Sequence, residues 1–333
     1  MALAARVYVA FPVGSEVRGA ITSELGSICE LVYSSEAPNP PEDTEAMLVA
    51  YSSGSGGGDS RPTGVFLSEW TNRLPKLRVI QTVSAGVDGL PFDSIPEGVV
   101  VLSNAGAYAE PMAEHVFAMI LYFYKELQSN HQLLKRGVFN QKTPTEELAG
   151  KVLGILGYGG IGRAVAKRAK CFGMSVHALN RSGNADAYVD RLFGSSALKE
   201  FLSGVDILLI TLPLTKRTAG MINREALGVM KDDALLVNVG RAGVIVEEDL
   251  YNHLLSHPRF RAAIDVWWDE PKGDSAFRPR YPFLELPNVL GSPHNSGVVK
   301  NFFPRAVRSA ARNLAAFLEG KNYKNVVSRE DYV

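Results

Sequence analysis

Three side chains of complementary chemistry stand just past short apolar runs in the second half of the chain. Arg241 follows LLVNVG at 235–240, Glu270 follows AAIDVWWD at 262–269, and His294 follows VLGSP at 289–293. Each run reads as a strand buried on both faces, and an open α/β sheet places its ligands beyond the carboxyl ends of such strands. The three residue types suit one reaction. A 2-keto acid presents a carboxylate and a carbonyl. An arginine fork can bind the first and polarise the second. A histidine can donate the proton that a developing alkoxide needs and take it back in the reverse direction. A carboxylate beside that histidine stabilises its imidazolium form and fixes its orientation. Taken singly, Glu270 also reads as a loop glutamate, His294 as a structural histidine beside Pro293, and Arg241 as an anchor for a helix end. Their joint order is harder to explain that way.

Upstream lies a phosphate cradle. Gly157-Tyr158-Gly159-Gly160-Ile161-Gly162 follows an apolar run at 152–156 and precedes a helical pattern at 163–172. In such a motif the first glycine permits a tight turn, the second lets backbone approach a pyrophosphate, and the last lets helix pack on strand. The helix N-terminus, with its free N–H groups and positive dipole end, then faces the dianion. After the next run, which ends near Leu179, an NAD-selective site usually carries Asp or Glu for the ribose hydroxyls. Here the residues are Asn180-Arg181-Ser182. Arg181 can pair with a 2′-phosphate, and Asn180 and Ser182 can donate to it, so NADP is the preferred cofactor, with NAD as the alternative. The alternative reading of Arg181 is an ordinary surface arginine.

These groups need a frame. Strand signals at 7–11, 31–33, 46–50 and 79–82 alternate with helical patterns at 16–25 and 65–74. After a long helix expected over 111–130, strands at 151–156, 176–179, 207–212, 235–239, 262–266 and 289–292 continue the alternation, and a last helix covers 303–319. The pattern specifies α/β architecture with parallel sheets. At 333 residues the chain exceeds one ordinary core. Ser52 to Ser60 is one low-complexity stretch, expected to be a loop; it reads either as a solvated insertion or as a lid. Lys plus Arg and Asp plus Glu each number 35, so charge gives no support for nucleic-acid or membrane-surface binding. No apolar run has the length of a membrane span, and residues 1–11 read as a first strand rather than a signal peptide. Two cysteines without metal spacing fit a reducing, cytoplasmic setting. His253 and His257 are four apart on an expected helix but lack a third ligand; they read as surface residues, and no metal is expected.

Several motifs in one order resemble the D-isomer-specific 2-hydroxyacid dehydrogenase family over most of the chain. They are SAGVDGL at 84–90, NAGAYAEPMAEH at 104–115, LAGKVLGILGYGGIGRAVA at 148–166, TLPLT at 211–215, LLVNVGRAGVIVEEDL at 235–250, AAIDVWWDEP at 262–271 and SPHNSG at 292–297. The resemblance implies two doubly wound parallel-sheet domains: a discontinuous flavodoxin-like substrate domain (1–102 and 298–333) and a Rossmann NAD(P)-binding domain (103–297). It implies that Arg241 holds the substrate carboxylate and carbonyl and that His294, paired with Glu270, is the acid/base. Asp265 should contact the carboxamide end of the cofactor. Leu212 and Pro213 should lie near its adenosine half, and Val239 should also line its site. Ser84, Ala85 and Gly86, with Tyr51 and Ser52 after the third strand, should receive the substrate. Hinge closure is expected to assemble the site, and the 111–130 helix to carry a homodimer contact.

The chain departs from the family at Asn295 and Ser296 and in its bulky Trp267-Trp268 pair. These put the substrate side-chain preference in question, not the reaction type. Glu270 argues against the formate dehydrogenase branch, which pairs its histidine with glutamine. The substrates expected are glyoxylate, hydroxypyruvate or another small 2-keto acid. The alternatives are a nucleotide-sensing, corepressor-like interaction protein and an enzyme oxidising another small anion such as phosphite.

Overall fold

A computed structural model describes residues 5–50, 63–271 and 275–333. Tyr51, Ser52 and the rest of the glycine-serine stretch lie outside the described residues. The chain divides into two compact units. The first comprises Met1–Tyr108, Pro271–Ala276 and Val299–Val333, and the second Ala109–Glu270 and Phe277–Val298.

In the first unit, β1 (Ala5–Val9), β2 (Cys29–Tyr33), β3 (Ala46–Val49), β4 (Val79–Thr82) and β5 (Val100–Leu102) form a parallel sheet in the order β2-β1-β3-β4-β5. Every residue of β3 and β4 is buried, as sheets covered on both faces require. Helix α1 (Ser15–Leu25) packs one face together with α9 (Phe302–Leu318). Ala306, Ala310, Ala311 and Ala315 make an i, i+4 stripe of small residues on α9, which lets it seat closely. Helix α2 (Thr63–Trp70) lies on the other face, where Leu67 and Trp70 join the core.

In the second unit, β6 (Val152–Leu156), β7 (Ser175–Leu179), β8 (Arg191–Phe193), β9 (Ile207–Ile210), β10 (Leu235–Asn238), β11 (Arg261–Ile264) and β12 (Val289–Gly291) form a parallel sheet. Its order is β12-β11-β10-β9-β6-β7-β8. The winding reverses between β6 and β9, the switch point at which open α/β sheets bind ligands. Helices α3 (Ala109–Tyr124) and α5 (Gly160–Cys171) cover one face; α6 (Leu198–Ser203), α7 (Arg224–Gly228) and α8 (Glu247–Ser256) cover the other. Both sheets accord with the two-sheet α/β class expected from sequence.

The single helix expected over 111–130 is two. Glu126 takes a left-handed conformation (φ 45°) between α3 and α4 (Leu127–Lys135). No glycine or proline marks the break, so the apolar pattern ran through it. Short strands β5 and β8, three residues each, carry too little periodicity to register in sequence. Among the described residues, no helix is long and apolar enough to cross a membrane.

Candidate active site

The cradle is built by close packing. Gly157 takes φ +100°, and a Cβ there would stand 2.9 Å from Leu212 Cδ2. Its N–H donates to Leu179 O, and its carbonyl accepts from Thr211 Oγ1 at 2.5 Å. A Cβ at Gly162 would stand 2.9 Å from Gly157 O, so α5 can approach β6 only without a side chain there. At Gly159, by contrast, a Cβ would meet nothing, and no side chain caps the helix that starts at Gly160. Open space in front of an uncapped first turn fits a pyrophosphate. Ile161 is half-buried at this turn.

The loop after β7 is shaped from within. Asn180 Oδ1 accepts from the Gly183 N–H at 2.8 Å, and its Nδ2 donates to Asn184 O at 2.6 Å. Asn180 therefore holds the turn that exposes Arg181 and Ser182, in place of the outward donor role expected of it. A clasp that sequence reasoning missed braces the loop against the cradle. The Tyr158 hydroxyl donates to Asp186 Oδ1 at 2.5 Å, and Arg163 Nε lies 3.1 Å from Oδ2. Burial pushes the Asp186 carboxyl up. The Tyr158 hydroxyl, the Tyr188 N–H and the Arg163 charge outweigh it and hold the group below the usual range. Leu212 is half-buried and Pro213 exposed after β9, while Val239 is buried with its side chain in the core behind the sheet.

The ends of β10, β11 and β12 bring Arg241, Glu270 and His294 together. Asn238 Nδ2 donates to Arg241 O at 3.1 Å, and Arg241 Nη1 donates to Gly240 O at 2.9 Å, which fixes both ends of that residue. His294 Nδ1 lies 2.8 Å and 2.9 Å from the two Glu270 carboxylate oxygens. Such a contact leaves Nε2 as the ring atom able to exchange a proton. Burial pushes the Glu270 carboxyl up. The hydrogen bond from His294, its charge, the Trp267 N–H and the Arg241 guanidinium outweigh it and hold Glu270 below the usual carboxylate range.

His294 has φ +51°, unusual for a residue with a Cβ. Asp265, fully buried, holds it there. The Asp265 carbonyl accepts from the His294 N–H at 2.7 Å. Its Oδ1 accepts from Ser292 Oγ at 2.5 Å and the Asn295 N–H at 3.1 Å, and its Oδ2 from the Ser296 N–H at 3.2 Å. His115 Nε2 contacts Ser292 Oγ at 3.1 Å. Ser292 and His115 stand inside motifs noted in the sequence, but no local pattern assigned them a part.

In the first unit, Ser84, Ala85 and Gly86 form a turn after β4. Thr82 Oγ1 donates to Ser84 O at 2.7 Å, and Ser84 Oγ donates to Gly86 O at 2.9 Å. Among the described residues no acceptor meets the Ala85 or Gly86 N–H. His253 and His257 are not simply surface residues. Their rings stack at 4.0 Å, and His253 packs edge-on against Phe260. Burial and the His257 charge push His253 down to about 4, against a weaker upward pull from Asp232. Among the described residues no group of three potential ligands gathers for a metal.

The family profile described as D-isomer specific 2-hydroxyacid dehydrogenase, NAD binding domain, matches residues 117–296. A glyoxylate reductase from Aeropyrum pernix is 32% identical over 270 residues, covering 78% of each chain. A D-3-phosphoglycerate dehydrogenase from Methanocaldococcus jannaschii is 32% identical over 265 residues, covering 77% of this chain but 48% of that one. A D-isomer specific 2-hydroxyacid dehydrogenase from Xanthobacter autotrophicus Py2, solved with NADPH and MES, superposes with TM-score 0.79 at 25% identity over 100% of both chains. The chain thus belongs to the D-isomer-specific 2-hydroxyacid dehydrogenase family and is a nicotinamide-dependent oxidoreductase of that type.

Proposed function

We propose that this chain reduces small 2-keto acids, with glyoxylate and hydroxypyruvate as the leading substrates, to D-2-hydroxy acids with NADPH. The observation that carries the reading is the His294–Glu270 pair at 2.8 Å beside Arg241. Arg241 binds the substrate carboxylate and polarises the carbonyl oxygen. In the first unit, the turn Ser84–Gly86 is a further candidate contact for the acid, its Ala85 and Gly86 N–H groups being suited to a carboxylate. His294 donates a proton from Nε2 to the developing alkoxide, and Glu270 stabilises the imidazolium before transfer. When bound, the nicotinamide supplies the hydride. Asp265, fully buried, acts at its carboxamide end through the 292–296 loop that its carboxylate holds; Leu212, Pro213 and the Val239 backbone border the remainder.

Preference for NADP over NAD rests on the loop after β7. Its exposed Arg181 and Ser182 suit a 2′-phosphate, while Asp186, farther along the same loop, is engaged by Tyr158 and Arg163. A relative solved with NADPH agrees with that choice. The first unit serves as the substrate domain and the second as the cofactor domain. The protein works in the cytoplasm on a small-molecule substrate, as two free cysteines suggest. It forms a homodimer. Helix α4 buries none of its residues, and Leu127, Leu134, Val138 and Phe139 are exposed on and just after it. An apolar arm of this kind suits a second copy of the chain.

The test is the initial rate of NADPH and NADH oxidation with glyoxylate, hydroxypyruvate, pyruvate and a bulkier 2-keto acid. Turnover faster with NADPH supports the whole reading. Turnover faster with NADH discards the part assigned to Arg181.

A further inference from the structure

The tryptophan pair that follows β11 packs into and against the core. Trp267 is buried, with its ring edge-on to Phe277 at 5.0 Å, and Trp268 stacks on Phe283 at 5.4 Å. Trp267 belongs to the hydrophobic core on the α6–α8 side of the sheet, and the partly buried Trp268 packs against it. Yet each indole uses its single donor on a neighbouring strand end. Trp267 Nε1 donates to Ser292 O at 2.9 Å, two residues before His294. Trp268 Nε1 donates to Ile245 O at 2.9 Å, at the close of the short turn that starts from Arg241.

We propose that Trp267 and Trp268 are positioning residues that set the His294 and Arg241 loops from one strand end. The proposal rests on the roles given to Arg241 and His294 above. In the sheet order β12-β11-β10, the strand that leads to the pair lies between the other two. Both rings meet Phe283, and their N–H groups reach different loops, Trp267 to the end of β12 and Trp268 to the loop after β10. The same strand end carries Glu270, whose Oε1 accepts from the Trp267 backbone N–H at 3.1 Å. Fit on the β12 side is tight: a Cβ at Gly291 would stand 2.8 Å from Trp267 Cζ2 and 2.6 Å from Leu284 Cδ2. Gly291 therefore lets the strand that leads to His294 lie flat on the indole. On the β10 side, Ile245 is buried and its N–H closes back on Ala242 O at 2.9 Å, so a pull on the Ile245 carbonyl is passed to the Arg241 turn. An angstrom of slack in either loop is costly, because catalysis depends on near-attack geometry.

The two contacts predict separable effects. Trp267→Phe and Trp268→Phe keep an aromatic ring in the core and remove only the N–H and the smaller ring's area. Steady-state keto-acid reduction with NADPH, NADPH affinity by fluorescence, and thermal midpoints are measured on each. Trp267→Phe is expected to lower kcat about tenfold and alter the pH profile, with KM within about twofold, because the His294 loop is loosened. Trp268→Phe is expected to raise the keto-acid KM about tenfold without changing NADPH affinity, because the Arg241 turn is loosened. If a phenylalanine variant is too unstable to assay, benzothienylalanine at the same position replaces the N–H by sulfur in a near-isosteric ring. The proposal is overturned if both constants stay at wild-type values, or if kcat and KM change together in step with lost thermal stability. Arg241→Ala and His294→Gln are run alongside. Full activity in those variants means the site reading has failed; their inactivity with silent tryptophan variants means that the positioning proposal alone has failed.

Discussion

Glu270→Gln keeps the size and hydrogen-bonding reach of the side chain and removes its charge. In the structure that charge sits 2.8 Å from His294 Nδ1, with side-chain exposures of 31% for His294 and 23% for Glu270. Two unit charges about 4 Å apart attract by about 4 kcal/mol at the effective dielectric of a protein margin. Partial exposure screens the pair, so less than half of that, about 1 to 2 kcal/mol, is a fair expectation. At about 1.4 kcal/mol per decade this is a loss of about five- to thirtyfold in kcat for keto-acid reduction. The direction of the pH effect follows as well. Glu270 is held below the usual carboxylate range, so its charge is present at and above its ordinary value and is lost only as pH falls through the lowered one. The variant lacks that charge at every pH, and the high-pH limb of its reduction profile moves toward acid. The assay is kcat for glyoxylate reduction at saturating NADPH, with the thermal midpoint as control. A variant that keeps kcat within about twofold and the wild-type pH profile would refute the argument that the pair supports proton transfer.

Arg181→Ala should raise the KM for NADPH about tenfold and leave that for NADH nearly unchanged, by loss of one charge-assisted contact; equal effects on both cofactors would remove Arg181 from the selectivity argument. Light scattering should give twice the chain mass, and Leu134→Glu with Phe139→Glu should shift it toward one; a wild-type monomer would end the proposal for the arm. Stability should fall on mild acidification. His253 is pushed down to about 4 and His177 is also lowered by burial, so the unfolded chain binds more protons between the unfolded histidine value and the folded ones. Their contribution is complete above about pH 6.5 and is lost as pH falls toward 4, so the thermal midpoint should be lower at about pH 5 than at 7.5. His253→Gln should flatten that difference, and an unchanged slope in the variant would remove His253 as its source.

Much of the site was legible because its chemistry is written at strand ends. LLVNVG, AAIDVW and VLGSP are long enough apolar runs to fix where Arg241, Glu270 and His294 emerge, and the sheet order then brings them together. The glycine cradle was legible for the same reason, since Gly157 and Gly162 occupy positions that reject a Cβ. What sequence could not show was how side chains turn. Asn180 carries the right donors for a phosphate, but its own turn engages one of them together with its amide oxygen. Tyr158 and Asp186 are 28 residues apart, and nothing local announces their bond. The bulk of Trp267 and Trp268 put the substrate side-chain preference in question, yet Trp267 is buried in the adjacent core and Trp268 packs against it. The break at Glu126 was hidden because glutamate is an ordinary helix former, and a left-handed residue there leaves no compositional trace.

The most direct test is NADPH oxidation by the purified protein in the presence of glyoxylate and of hydroxypyruvate, alongside a fluorescence titration of NADPH binding. The account predicts turnover with at least one of these acids, abolished by His294→Gln while NADPH binding persists. Tight NADPH binding without turnover on any 2-keto acid would contradict it.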